Sequence, residues 1–174
     1  MGPLEGRAQA LGLRRGFTLV ELAVIICLVA VFFGIALERL LRYQELGEQA
    51  AMEQNLAAIN TALTMRFATL VIAGRGREIE KEAGANPIHL LSRPPQNYLG
   101  ALYAPPPESL ESRSWYYDRA SGDLVYLPGR TRYLSEPADA EKGLRFRVEL
   151  AAQGSAELRH PFIRARKPYR WVLD

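Results

Sequence analysis

Glu21 is the only charged side chain in an otherwise apolar run, Phe17 to Leu37, which reads FTLVELAVIICLVAVFFGIAL. An acid placed well inside a membrane costs about 2.5–3.5 kcal/mol on insertion scales, so it calls for a partner, a function, or a place near the end of the span where it can snorkel or protonate. Asp118 and Asp123 bracket Arg119-Ala120-Ser121-Gly122. That pattern suits turn-forming aspartates better than a calcium loop, which needs more oxygen ligands. From Arg159 to Trp171, five basic residues (Arg159, Arg164, Arg166, Lys167 and Arg170) lie among Phe162, Tyr169 and Trp171. Such interleaving can bind single-stranded nucleic acid by stacking and phosphate contact, with Arg164, Arg166 and Lys167 as the contacts. It equally suits an edge strand whose basic residues face water while its aromatics turn inward. Other chemistry is sparse. His89 and His160 are the only histidines and sit in no metal spacing, Cys27 falls in the apolar run, and no G-x-x-x-x-G-K-[ST] loop occurs. No catalytic residue, metal site or cofactor site is expected, and no enzyme.

The elements that would position these residues follow from periodicity. The apolar run has 21 residues, and about 20 suffice to cross the hydrocarbon core as a helix. It exceeds the roughly 7–15 apolar residues of an ordinary secretory signal, and no A-x-A-like site follows. Arg7, Arg14 and Arg15 precede it; Arg39 and Arg42 follow, interleaved with Glu38 and Glu45. This bias predicts a cytoplasmic N-terminus and an exported C-terminal body. Leu56, Ile59, Leu63, Phe67 and Leu70 then recur at helical spacing, too briefly for sustained heptads. Glu38 to Ala73 holds no proline, and Gly74-Arg75-Gly76 supplies a stop. The pattern predicts one helix over 17–73: a transmembrane or filament-core part (17–37) and an amphipathic part (38–73).

Residues 74–113, with Pro94-Pro95 and Pro105-Pro106-Pro107, read as an irregular connection. Residues 114–174 read as a β-sheet head. Ser114–Asp118 and Leu124–Pro128 form a hairpin, Leu144–Leu150 alternates as a third strand, and Tyr169–Leu173 supplies a fourth. The fold class is α+β. The lone cysteine excludes an intramolecular disulfide.

Gly16-Phe17-Thr18-Leu19-Val20-Glu21-Leu22, behind a basic segment and ahead of a long apolar stretch, resembles residue for residue the cleavage and methylation signature of type IV pilins and type II secretion pseudopilins. The resemblance covers about the first 40 residues. It implies that residues 1–16 are a leader, cut between Gly16 and Phe17 by a membrane aspartic peptidase, the prepilin peptidase, which then N-methylates Phe17. Glycine before the scissile bond offers no side chain to obstruct the peptidase. It also implies that Glu21 pairs with the N-terminal amine of a neighbouring subunit, since a buried charge is tolerated when paired and can set axial register. Some tip pseudopilins lack this acid, so its presence argues against that subclass.

By the same resemblance the fold would be pilin-like, with an antiparallel sheet wrapped on the exposed half of the helix. The partners would be other pilin or pseudopilin subunits, an inner-membrane assembly platform and membrane lipid. The protein would be single-pass in the inner membrane with a periplasmic head, then part of a pilus or pseudopilus. Asn86-Pro87-Ile88-His89-Leu90-Leu91 and Pro94-Pro95-Gln96-Asn97-Tyr98-Leu99-Gly100 resemble segments of minor pilin-like proteins. A minor subunit is also suggested by the lack of a C-terminal cysteine pair, and by Glu38-Arg39 where many pilins carry a helix-loosening proline. Some secretion pseudopilins bind calcium in the head, but Asp118 and Asp123 are too few acids for that. Some pilus subunits assist DNA uptake, so a DNA-binding competence pilin is one alternative; a bitopic protein with a periplasmic binding module is another. Taking the net +2 of residues 1–16 from the total of +3 leaves +1, which gives no general electrostatic case for DNA.

Overall fold

The structure, a computed structural model, describes residues 18–135, 142–152 and 159–172. It is α+β: one long helix, α1 (Leu19–Ile72), and a five-stranded, mostly antiparallel sheet. The predicted stop is realised chemically. Gly74 takes φ +71°, its N–H reaches the Val71 carbonyl at 3.0 Å, and the Arg75 N–H reaches that of Leu70 at 2.8 Å. This paired closure needs a left-handed residue, which glycine supplies without a Cβ penalty. The chain divides into two units at Leu40–Leu41.

In the first unit every described residue, Thr18 to Leu40, is exposed. Leu19, Phe32 and Phe33 are 84%, 71% and 66% accessible. The helix is long and apolar enough to cross a membrane. No proline interrupts it at Glu38-Arg39, and the helical backbone continues through those residues.

In the second unit the expected stripe is the helix face that packs on the sheet. Ile59, Leu63 and Leu70 are buried, with Met52 added at the same spacing, and Leu56 is partly buried against the core. The strands are β1 (Tyr98–Leu102), β2 (Ser114–Asp118), β3 (Asp123–Leu127), β4 (Leu144–Ala152) and β5 (Arg159–Ala165), in spatial order β1-β2-β3-β4-β5. One sheet face carries Trp115, Leu124, Tyr126, Phe146, Val148 and Ile163 into a common core with the helix. The other face is apolar at β2 and β3, where Tyr116, Val125 and Leu127 are covered by Leu102 and Leu110, and ionic at β4 and β5.

Three expectations need correction. The 74–113 segment is not irregular throughout: it holds 3-10 turns at Gly76–Glu82, Pro87–Leu90 and Pro107–Ser109, and it contributes β1 to the sheet. YLGAL lacks β-branched residues and lies between proline clusters, so no local signal marks it as a strand. The sheet is not wholly antiparallel, because β1 pairs parallel to β2, with a register shift between Tyr98 and Ala101 beside Gly100 at φ +100°. Nor does the Tyr169 segment form a strand of the sheet. It makes an isolated bridge, Leu134 with Trp171, flanked by Ser135 N–H to Arg170 O and Val172 N–H to Tyr133 O, both at 2.7 Å. The next strand after β4 is β5. The β2–β3 hairpin and β4 form where alternation placed them.

Candidate functional site

Gly16 and Phe17, the residues of the expected cleavage, lie outside the described residues. Thr18 and Glu21 lie within. The Thr18 Oγ1 accepts the Glu21 N–H at 3.2 Å, so Thr18 caps α1 and Glu21 occupies its first turn. Thr-x-x-Glu is a capping pattern, and a carboxylate there also faces the positive end of the helix dipole. Glu21 therefore has a local reason to be acidic, in addition to any intermolecular one. Its neighbours Leu19, Val20 and Leu22 are all more than half exposed, so the acid sits on an uncovered apolar surface. Removing such side chains from water is worth about 1.5–3 kcal/mol each. Something outside the monomer must supply that cover.

The second unit uses acids differently. Continuing the stripe backwards at 3- and 4-residue steps leads from Leu56 through Met52 to Glu48 and Glu45, and both carboxylates are buried. Glu48 accepts from the Tyr126 hydroxyl at 2.9 Å, the Gly129 N–H at 2.6 Å and the Arg113 Nε at 3.2 Å. Glu45 accepts the Tyr133 N–H at 3.2 Å. Burial, with the Glu48 carboxylate beside it, pushes the Tyr126 phenol well above its usual value. One face away, the Asn60 Oδ1 accepts the Ile163 N–H at 2.9 Å and so satisfies a backbone donor of β5. Helix and sheet are thus joined by acceptors as well as by grease. The sequence reading missed these residues, although two acids in register with an apolar stripe are a legible sign of buried, paired carboxylates.

Asp118 and Asp123 close the β2–β3 hairpin as the turn chemistry predicts. Asp118 accepts from Ala120 N–H at 3.0 Å, Ser121 Oγ at 2.8 Å and Ala104 N–H at 3.2 Å. Both carboxylates face arginines. Arg145 lies 3.2 Å from Asp118 and 3.8 Å from Asp123, and Arg147 and Arg166 lie 2.8 and 3.6 Å from Asp123. Burial alone would raise the Asp118 carboxyl, but the bonds from Ser121, Ala120, Arg145 and Ala104 outweigh it and hold it below the ordinary value. With guanidinium groups already on both acids, no cation is needed to neutralise them. Among the described residues no cluster of three or more potential metal ligands comes together.

The three residues considered for nucleic acid separate. Arg164 is exposed on β5, Arg166 reaches back to Asp123, and Lys167 follows the strand in an exposed position. Tyr169 and Trp171 turn inward, stacking edge-on with each other, and Tyr169 also with Phe146, each with centroids 5.8 Å apart. Phe162 stays half-buried on the other face. The basic residues and most of the aromatics point apart, so no interleaved stacking platform forms. No protein-family model, curated protein or solved structure matches the chain.

Proposed function

We propose that this chain is a structural subunit of a type IV pilus or a type II secretion pseudopilus, a minor one, with a pilin-like fold. The prepilin peptidase removes residues 1–16 and methylates Phe17, and the helix then holds the protein in the inner membrane with its head periplasmic until assembly. One observation carries this reading: an apolar helical surface, exposed from Leu19 to Leu40, bears a single acid in its first turn directly after a Gly-Phe junction. A membrane anchor explains the apolar surface and leaves the acid only its local capping role. A filament explains both, because a neighbouring subunit can cover the surface while its terminal amine meets Glu21. The inward Tyr169 and Trp171 weaken the alternative of a DNA-binding subunit.

The test is mass spectrometry of the full-length chain co-expressed with a prepilin peptidase. A mature protein beginning at N-methylated Phe17 is expected. A membrane-inserted chain that keeps Met1 would sink the reading in favour of a simple bitopic protein.

A further inference from the structure

The turn that follows β3 carries side chains that the sheet does not use. Gly129 and Tyr133 donate their N–H groups to Glu48 and Glu45 at 2.6 and 3.2 Å. Residues 129–133 are therefore laid along the part of α1 that opens the second unit, and they advance toward its N-terminal end. Two further bonds hold them in place: the Leu134 N–H reaches the Thr131 carbonyl at 3.2 Å, and the Val172 N–H that of Tyr133 at 2.7 Å. Fixed in this way, Tyr133 meets two cations. The Cζ atoms of Arg42 and Arg132 each lie 5.7 Å from its ring centroid, within the range of cation–π attraction. Arg42 keeps its Nε sealed from solvent without an acceptor, a costly state for a charged donor. Arg130 is exposed. Among the described residues no ion pair joins an acid to Arg42 or Arg130; Glu48 pairs with Arg113, and Glu45 is buried against the Tyr133 N–H.

The place of these donors in the chain selects their acceptor. Arg42 follows Leu37, the last residue of the apolar run, within the same helix. Five residues of helix rise about 7.5 Å. Each headgroup layer of a bilayer is about 5–8 Å deep. Arg42 thus stands at the outer margin of the layer that holds the lipid phosphates, and a long arginine stem lets its head reach that layer. Tyr43 is 64% exposed beside it, and tyrosine collects at this level of a membrane. Phosphate oxygens accept from the guanidinium fork in pairs, so recognition here requires free donors rather than a large net charge.

We propose that Arg42 and Arg130, ordered by the Tyr133 turn, bind the phosphate of an anionic phospholipid headgroup and so tie the head to the bilayer surface. The contact rests on the reading of residues 17–37 as a membrane span. It adds a second attachment, made by a loop of the head rather than by the helix alone.

The test uses the full-length chain in a Cys27→Ala background, with a bimane fluorophore on Thr131→Cys or, as a control beyond the far end of α1, on Glu80→Cys. Vesicles of phosphatidylglycerol carry a trace of lipid with a nitroxide headgroup as quencher. A second set replaces the phosphatidylglycerol with neutral galactolipid, which has no phosphate. In phosphatidylglycerol the Thr131→Cys site should be quenched more strongly than the control, and the difference should fall in galactolipid. Arg130→Gln, a change at an exposed side chain, should weaken the docked state about fivefold, and Arg42→Gln likewise, whereas Arg130→Lys should keep most of the quenching. Equal quenching at the two sites, or quenching indifferent to both glutamine variants, overturns the contact. So does binding of inorganic phosphate in maltoside micelles, lost in Arg42→Gln, without preferential quenching of the Thr131→Cys site; that result would assign the arginines to a free ion. Alkaline carbonate extraction separates the two ways of failing. A chain that stays with the membrane but shows no preference between the sites removes the headgroup contact alone, whereas a chain that is extracted removes the membrane span as well.

Discussion

Glu21 serves its own helix and, on the proposed reading, a neighbour, and substitution can separate the two. Glu21→Ala should cost the isolated helix only about 0.5–1 kcal/mol, seen as a small fall in helicity. Incorporation into filaments should be abolished; incorporation at the wild-type level would refute the intermolecular pairing. At Glu48 the prediction concerns stability. Glu48→Ala orphans the Gly129 N–H and the Tyr126 hydroxyl and leaves Arg113 unpaired. It should destabilise the head by about 2–4 kcal/mol in urea melts, the upper end being tempered because Arg113 is half exposed. Asp118 makes a pH prediction. Its carboxyl is held below its unfolded value of about 3.9, so the stability it contributes is complete above that pH and fades as pH falls through the folded value. Asp118→Asn should cost about 1–2 kcal/mol at neutral pH, and the difference from wild type should shrink toward pH 2.

Among the elements, α1 has two different environments along its length. Its described residues up to Leu40 are uncovered, while from Glu45 onward a stripe of Glu45, Glu48, Met52, Ile59, Leu63 and Leu70 is buried. Ile59 is fully inaccessible in that stripe. Ile59→Ala should therefore destabilise the head by about 2–5 kcal/mol, checked by chemical denaturation of the full chain in detergent. Gly74→Ala tests the helix stop. The residue needs φ +71°, and open space surrounds the added methyl. The cost should be backbone strain alone, of order 1 kcal/mol. Much of this was legible beforehand. The 3- and 4-residue spacing marked the stripe and glycine marked the stop, because both are local properties of the backbone and of adjacent turns. β1 was not legible. A five-residue segment with a central glycine becomes a strand only because β2 lies beside it.

At the level of the complete chain, the side chains exposed from Leu19 to Leu40 are mostly apolar, whereas in the head the buried acids are met by hydrogen-bond donors or arginines. On the proposed reading, association through the apolar helix should not weaken with salt, because burial of apolar surface carries no Coulomb term. Oligomer size measured against ionic strength in one membrane mimic checks this, and a steep fall with salt would contradict it.

Order of residues was enough to establish the long helix, its apolar and amphipathic parts, the β2–β3 hairpin and β4. Each is written in periodicity or turn chemistry within a few residues. Folding alone revealed that Glu45 and Glu48 accept from the Tyr133 and Gly129 backbone, that Asn60 satisfies β5, and that Arg145, Arg147 and Arg166 converge on Asp118 and Asp123. Those pairings join residues some 20 to 100 positions apart. Their energies depend on burial and distance, and no local pattern encodes either.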